Sequence, residues 1–273
     1  MKWQKLIFIS LISALIIGCE EDFGIYIDNI PPDTPTNIRT ITGDNMVEIS
    51  WKPVFNSDLS GYAVYWSDSY NGKYKLIGTT DETRLIDYEA SNGLTTYYAV
   101  ASYDYNGNES ELSYDVAYDT PRPEGFDNKI YDYLNYPHIS AYNFASYQLT
   151  AFNSDYADFF FENDNGTFYL NVWEDTDIQN MGPTYDIYDI TAAPLTGWVD
   201  QMPGANVKYV RALTGYTYVI WTWDDHFAKI RITNIANDRL TFDWAYQTAE
   251  GNIELKIYRN TEVRVKPPTK VMK

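Results

Sequence analysis

Short runs of alternating apolar and polar residues, separated by turn signals, constrain the fold of this chain more than any other feature. Val47, Ile49 and Trp51 share one side of residues 46–51, as expected for a half-buried strand. Residues 61–66 repeat the alternation, and further short strands are predicted at residues 75–78 and 97–103. Because no helical period of apolar residues accompanies these segments, the sequence predicts an all-β fold.

The second half of the chain carries the same signal. Residues 158–163 and 167–173 flank Asn165-Gly166, which predicts a hairpin because this dipeptide accepts positive φ angles. Residues 216–223 and 226–233 predict a second hairpin, and residues 240–246 are expected to pair with residues 253–258. About eight strands in roughly 150 residues predict a second sandwich or an open barrel.

Length and proline placement predict the domain organisation. A chain of 273 residues favours two domains. Pro31, Pro32 and Pro35 stiffen the start of the first domain, and Pro121 and Pro123 mark a boundary. The predicted segments are a signal peptide (1–18), an acidic tether (19–30), a first β domain (31–121), a second β domain (122–262) and a basic tail (263–273).

The N-terminus predicts secretion. Lys2 and Lys5 precede an apolar run over residues 6–17, which is too short for a membrane-spanning helix. The run ends in Ile16-Ile17-Gly18-Cys19 and resembles the lipobox of bacterial lipoproteins. This resemblance implies cleavage after Gly18 and acyl chains on Cys19. Because Cys19 is the only cysteine, no disulfide forms within the chain.

The net charge of the chain excludes some classes of binding partner. The formal net charge of −18 disfavours binding to nucleic acid and electrostatic docking on anionic lipid, so the lipid on Cys19 is the expected membrane contact. The triplet Glu20, Glu21 and Asp22 resembles the export signal of surface lipoproteins in Bacteroidetes-type bacteria. The implied location is the cell envelope, with the protein anchored to the outer membrane and exposed at the surface.

The first domain resembles a fibronectin type III module. The resemblance rests on Trp51, on the run Gly61-Tyr62-Ala63-Val64-Tyr65-Trp66, and on Tyr98-x-Val100-x-Ser102-x-Asp104 followed by Gly107-Asn108-Glu109-Ser110. It implies two antiparallel sheets packed face to face, Trp51 in the core, and a Tyr98 hydroxyl that pins a loop. Ser102 departs from the alanine that is more common in the family. Such modules act as spacers or interaction units.

Residues 215–230, with Trp223-Asp224-Asp225-His226 at their turn, resemble the C-terminal part of haem-scavenging surface lipoproteins of Bacteroidetes-type bacteria. That family implies an all-β, lipid-anchored protein that captures haem. His138 and His226 are the candidate axial ligands, and Met181 or Met202 is an alternative partner for one histidine.

The motifs for metal binding, catalysis and other ligands are less specific. Asp and Asn in residues 162–166 and 175–180 are candidate Ca²⁺ ligands, although the EF-hand spacing is absent. No zinc or nucleophile motif is present, so no catalytic residue is assigned. The candidate ligand-binding residues are aromatic or lie at the 223–226 turn: Trp198, Tyr218, Trp221, Trp223 and His226. The alternative is that these rings are core contacts.

Together these patterns predict a non-enzymatic surface lipoprotein. Its fibronectin type III domain would act as a spacer that presents a β-rich binding domain to a glycan, haem or an envelope protein. Two alternatives stay open: capture of haem or another small molecule, and a carbohydrate-active enzyme or its binding accessory, for which the many acidic and aromatic residues are suited.

Overall fold

The computed structural model describes residues 28–255 and 265–271. The predicted signal peptide, Cys19 and most of the tether lie outside the described residues, as do residues 256–264 and 272–273. Within the described residues, no helix has the length and apolar character needed to cross a membrane.

The first domain is a sandwich of the fibronectin type III kind. One sheet has the order β1-β2-β5 and faces a second sheet of order β4-β3-β6-β7. The strands are β1 Arg39–Gly43, β2 Met46–Ser50, β3 Leu59–Ser67, β4 Lys73–Thr80, β5 Arg84–Asp87, β6 Thr96–Asp104 and β7 Ala117–Asp119. Trp51 is buried and meets the Tyr62 ring edge to face, with ring centroids 5.3 Å apart. The predicted face-to-face sheets and the predicted core position of Trp51 are both observed.

Tyr98 pins a loop through a carboxylate rather than through the backbone. Its hydroxyl donates to Asp87 Oδ2 at 3.0 Å, and Asp87 Oδ1 accepts the Glu89 backbone N–H at 3.0 Å. Burial, together with the Asp87 charge, raises the pKa of Tyr98. Ser102 also has a role that alanine could not perform, because its hydroxyl donates to the Asp33 carbonyl at 2.7 Å and fixes the chain that enters the domain.

The second domain is also a sandwich, built from two five-stranded sheets with the orders β10-β9-β11-β12-β14 and β13-β15-β16-β17-β8. The strands are β8 Glu124–Tyr131, β9 Ala141–Asn143, β10 Gln148–Thr150, β11 Phe159–Asp164, β12 Thr167–Trp173, β13 Asp177–Pro183, β14 Val207–Arg211, β15 Tyr216–Trp221, β16 Phe227–Ala236 and β17 Arg239–Gln247. Aromatic side chains from both sheets fill the space between them, including Tyr142, Phe144, Phe159, Phe161, Phe242 and Trp244. The all-β prediction is confirmed, and the second domain is a sandwich rather than an open barrel.

The local predictions differ in outcome. β11 and β12 form the hairpin expected over Asn165-Gly166, whose φ angles of 52° and 89° suit the turn. β15 and β16 form the second hairpin. The predicted pairing of residues 240–246 with 253–258 is wrong, because β16 and β8 occupy the two edges of β17.

The C-terminal segment returns to the first domain. β18, Thr269–Lys270, pairs in parallel with β4 and covers its edge. Lys270 Nζ lies 2.7 Å from Glu109 Oε1 and donates to the Ser110 carbonyl at 2.8 Å. Part of the segment predicted as a basic tail is therefore a strand of the first sandwich.

Arg122 lies at the junction between the two sandwiches. Its backbone N–H donates to the Gly43 carbonyl at 3.1 Å, and its side-chain Nε donates to the Leu255 carbonyl. Nη1 is 3.1 Å from Glu124 Oε2. The Arg122 side chain is fully buried, and its contacts to Leu255 and Glu124 replace part of the water around the charged group, while Nη2 has no hydrogen-bond partner among the described residues.

Replacing Arg122 with alanine is expected to lower the free energy of unfolding by about 3 kcal/mol, because Glu124 loses its buried partner. Arg84→Ala is the matched control: it removes an exposed guanidinium paired with Glu82 and is expected to cost less than about 1 kcal/mol. Urea denaturation of both variants measures the difference. Equal and small losses would contradict the structural role assigned to Arg122.

Candidate ligand-binding site

Tyr218 is a core residue of the second sandwich. Its side chain is fully buried, its hydroxyl donates to the Arg211 carbonyl at 2.7 Å, and the same oxygen accepts the Leu213 N–H at 2.9 Å. Burial raises the pKa of Tyr218 to about 12. Tyr218 was predicted from the sequence as a ligand-binding candidate, but its ring is buried in the core and does not line the cleft that contains Trp223.

Trp198 and Trp221 belong to a small hydrophobic cluster separate from the main core. Both pack with Phe227, and the Trp198 and Trp221 ring centroids are 5.8 Å apart. The Trp221 indole N–H donates to Asp225 Oδ1 at 2.8 Å. These contacts support the alternative that the two rings are packing residues, although one edge of Trp221 also borders a surface cleft.

The histidines and methionines occupy different surroundings. His138 is exposed in the short 3₁₀ turn Pro137–Ile139. His226 Nδ1 lies 3.3 Å from Asp224 Oδ1, and its ring packs on Tyr246. Met181 packs against the Trp198 cluster, and the Met202 sulfur accepts a hydrogen bond from the Tyr209 hydroxyl. Among the described residues, no contact links the two histidines to each other or either histidine to Met181 or Met202.

The loops predicted to bind Ca²⁺, residues 162–166 and 175–180, contain no group of described carboxylates spaced as metal ligands. Among residues 28–255 and 265–271, the one group of carboxylates spaced as metal ligands are spaced is Asp28, Asp58 and Asp104, in the first domain. Both Asp104 oxygens already accept hydrogen bonds, Oδ1 from the backbone N–H groups of Asn106 and Asn108 and Oδ2 from the Asn108 side chain. We assign no metal to this group.

A cleft of about 580 Å³ opens at one end of the second sandwich. Three connections meet there: residues 151–158 between β10 and β11, residues 174–176 between β12 and β13, and residues 222–226 between β15 and β16. The lining residues are Asn153, Ser154, Asp155, Tyr156, Ala157, Trp173, Asp175, Thr176 and Trp223. Loops held by a rigid sheet scaffold are common binding positions.

Three aromatic rings line this cleft. Tyr156 is 69% exposed and Trp223 is 59% exposed, values unusual for such large side chains. Trp173 is half-buried; its indole N–H donates to the Phe152 carbonyl at 3.0 Å, and its ring packs against Phe160 at 5.6 Å. The cleft therefore has one ring fixed by packing and two rings that face solvent.

Trp223 is the sequence-predicted residue that this cleft contains. Tyr156 and Trp173 were not predicted, because Tyr156 lies in a segment without periodicity and Trp173 ends a strand whose apolar face is formed by Leu170 and Val172. An aromatic residue at a strand end, on the side opposite the apolar face, was the available signal for Trp173.

Asp158 is a buried carboxyl close to this end of the sandwich. Its Oδ2 accepts the Phe144 N–H at 2.6 Å. Burial raises the pKa of Asp158 to about 7; the Phe144 hydrogen bond opposes this shift, and the charge of Asp224 adds to it. The folded chain therefore holds a proton that the unfolded chain loses at lower pH, so this contribution to stability is lost as the pH rises through 7.

Asp158→Asn is expected to raise the free energy of unfolding by on the order of 2 kcal/mol more at about pH 8 than at about pH 5, because the linked stability falls as the pH rises from about 4 to about 7. The amide oxygen still accepts the Phe144 hydrogen bond but carries no charge. Urea titrations at the two pH values measure the effect, with Asp155→Asn as an exposed control. Equal destabilisation by Asp158→Asn at both pH values would show that the assigned proton is absent.

Comparison with known proteins finds partial similarity. No family model matches the chain. It is 36% identical over 93 residues to an amylopullulanase of Thermoanaerobacterium saccharolyticum, covering 33% of this chain and 7% of that protein. An amylopullulanase of Thermoanaerobacterium thermosulfurigenes is also 36% identical over 93 residues, with 5% of that protein covered. The chain thus spans a small fraction of the length of these relatives. A solved Fn3-like protein from Clostridium thermocellum is 24% identical with a TM-score of 0.29, covering 34% of this chain and 98% of that one.

Proposed function

We propose that this chain is a non-enzymatic, lipid-anchored envelope protein whose second sandwich binds glycans. In this proposal the fibronectin type III-like sandwich carries the binding domain, and the cleft between residues 151–158, 174–176 and 222–226 is the binding site. The observation that carries the proposal is the group of three rings, Tyr156, Trp173 and Trp223, in one open cleft.

Sugar rings suit such a cleft. Aromatic faces pack against the apolar C–H faces of pyranose rings, while nearby polar groups bond the hydroxyls at the sugar edges. Asn153, Ser154, Asp155 and Asp175 supply such polar groups around the rings. The similarity to amylopullulanases supports a carbohydrate setting, and its restriction to a 93-residue stretch supports an accessory role rather than catalysis.

Trp223→Ala is expected to weaken glycan binding about tenfold, because one stacked ring contributes roughly 1 to 1.5 kcal/mol. Calorimetric titration of the full chain with glucose hexasaccharides and N-acetylglucosamine hexasaccharides measures the affinity. Tyr185→Ala removes another highly exposed ring, one that does not line the cleft, and is expected to leave binding unchanged.

Two results would contradict this proposal. Equal affinity in the wild type, Trp223→Ala and Tyr185→Ala would remove the cleft as the site. Release of shorter saccharides during incubation would show that the protein is an enzyme.

The anchor is the second part of the proposal. Cys19→Ala is expected to abolish incorporation of a labelled fatty acid and to reduce the membrane-bound fraction, because acyl chains supply about 0.8 kcal/mol per buried CH₂ group. Fractionation of cells and fatty-acid labelling measure both effects, and protease treatment of intact cells tests surface exposure. Unchanged labelling in Cys19→Ala would contradict the lipid anchor at this residue.

A further inference from the structure

The cleft continues beyond Trp223. A smaller cleft of about 310 Å³ shares Asp175 and Trp223 with the first and is otherwise lined by Asp177, Trp221, Thr222 and Asp225. Trp223 therefore stands between two adjoining depressions, and its exposed ring is accessible from both. This arrangement suits an extended ligand with several repeating units better than a single small molecule.

All charged side chains that line these two depressions are negative. Asp155, Asp175, Asp177 and Asp225 line them, and neither set of lining residues in the described chain contains a lysine, arginine or histidine. Clefts lined by one sign of charge raise the local concentration of oppositely charged ligands. The acidic whole chain, with a formal net charge of −18, acts in the same direction.

The four carboxylates are not equivalent. Asp177 is neutralised by Lys208, whose Nζ is 2.8 Å from Asp177 Oδ1, and Asp225 accepts the Trp221 indole N–H. Asp155 and Asp175 are exposed and form no ion pair among the described residues; Asp175 accepts one long hydrogen bond from Thr176 at 3.5 Å. These two charges lie beside Tyr156 and Trp223, whose ring faces also attract cations.

We infer that the site selects oligosaccharides that carry free amino groups, such as polymers of glucosamine. The inference rests on the proposed glycan-binding function and adds the class of sugar. The rings bind the sugar faces, and Asp155 and Asp175 pair with the ammonium groups. Acetylation of the sugar nitrogen removes the positive charge and the pairing, while a uronic acid places a negative charge against the two carboxylates.

The test compares three probes of equal length: glucosamine hexamer, N-acetylglucosamine hexamer and galacturonate hexamer. Calorimetric titration of the full chain is done at a mildly acidic pH, at which the glucosamine nitrogens are protonated. We expect the glucosamine hexamer to bind about three- to tenfold more tightly than the acetylated hexamer, as expected for two exposed charge pairs. Galacturonate should bind most weakly. Raising the salt from about 0.05 M to about 0.5 M should reduce the preference.

The double variant Asp155→Asn, Asp175→Asn keeps the side-chain shapes and should bind the amino and acetylated hexamers equally. Asp68→Asn, Asp81→Asn removes the same number of exposed charges from the first sandwich and should keep the preference. Equal, Trp223-dependent binding of both hexamers by the wild type would overturn the amino-sugar inference and leave the glycan-binding proposal in place. Binding of no hexamer, or binding that Trp223→Ala does not change, would overturn both.

Discussion

The backbone and side-chain contacts of the buried residue Arg122 join the two sandwiches, and the rest of the arrangement depends on this junction. A buried charged group needs polar partners, and the Arg122 guanidinium finds them in the second sandwich, while the backbone N–H of the same residue bonds the first. Gly43 belongs to the first sandwich, while Glu124 and Leu255 belong to the second. The buried Asp119 adds negative charge nearby, and burial together with Asp119 raises the pKa of Glu254 to about 7. Arg122 thus contacts the first sandwich through its backbone and the second through its side chain, so the junction is a specific contact.

The candidate site depends in turn on the packing of the second sandwich. Residues 151–158 and 174–176 both leave strands of the sheet that contains β11, whereas residues 222–226 connect two strands of the facing sheet. The three connections meet only because the aromatic core holds the two sheets face to face. Tyr142 shows how close this packing is: its ring meets Phe144 and Phe159 on its own side and Phe242 and Trp244 from the facing sheet. The cleft therefore forms only in the folded chain, because its three rings come from segments that are far apart in the sequence.

This dependence explains what the sequence could predict. Alternation of apolar residues depends on near neighbours alone, so β2, β12 and their turns were predictable from the sequence. Alternation does not identify the partner of a strand, and residues 253–258 were therefore paired with residues 240–246, although β16 and β8 occupy the two edges of β17. β8 itself escaped prediction because Asp127, with a φ angle of 55°, interrupts its regular pattern. Tyr156 and Trp173 were missed for a related reason: their shared cleft joins segments whose proximity is set by strand order.

Hydrogen bonds within and around its loops define the shape of the cleft. Backbone hydrogen bonds within the loop, such as that from the Ser154 N–H to the Ala151 carbonyl, shape the first connection, and the Asn143 side chain donates to the Tyr156 carbonyl. In the third connection the Thr222 hydroxyl and backbone bond His226 on both sides of the turn. Each exposed ring or charge pair contributes little binding free energy by itself, and ordering a loop on binding would cancel that contribution. Because these hydrogen bonds form without a ligand, the small contributions of Tyr156, Trp223 and the two carboxylates would remain available to the proposed ligand.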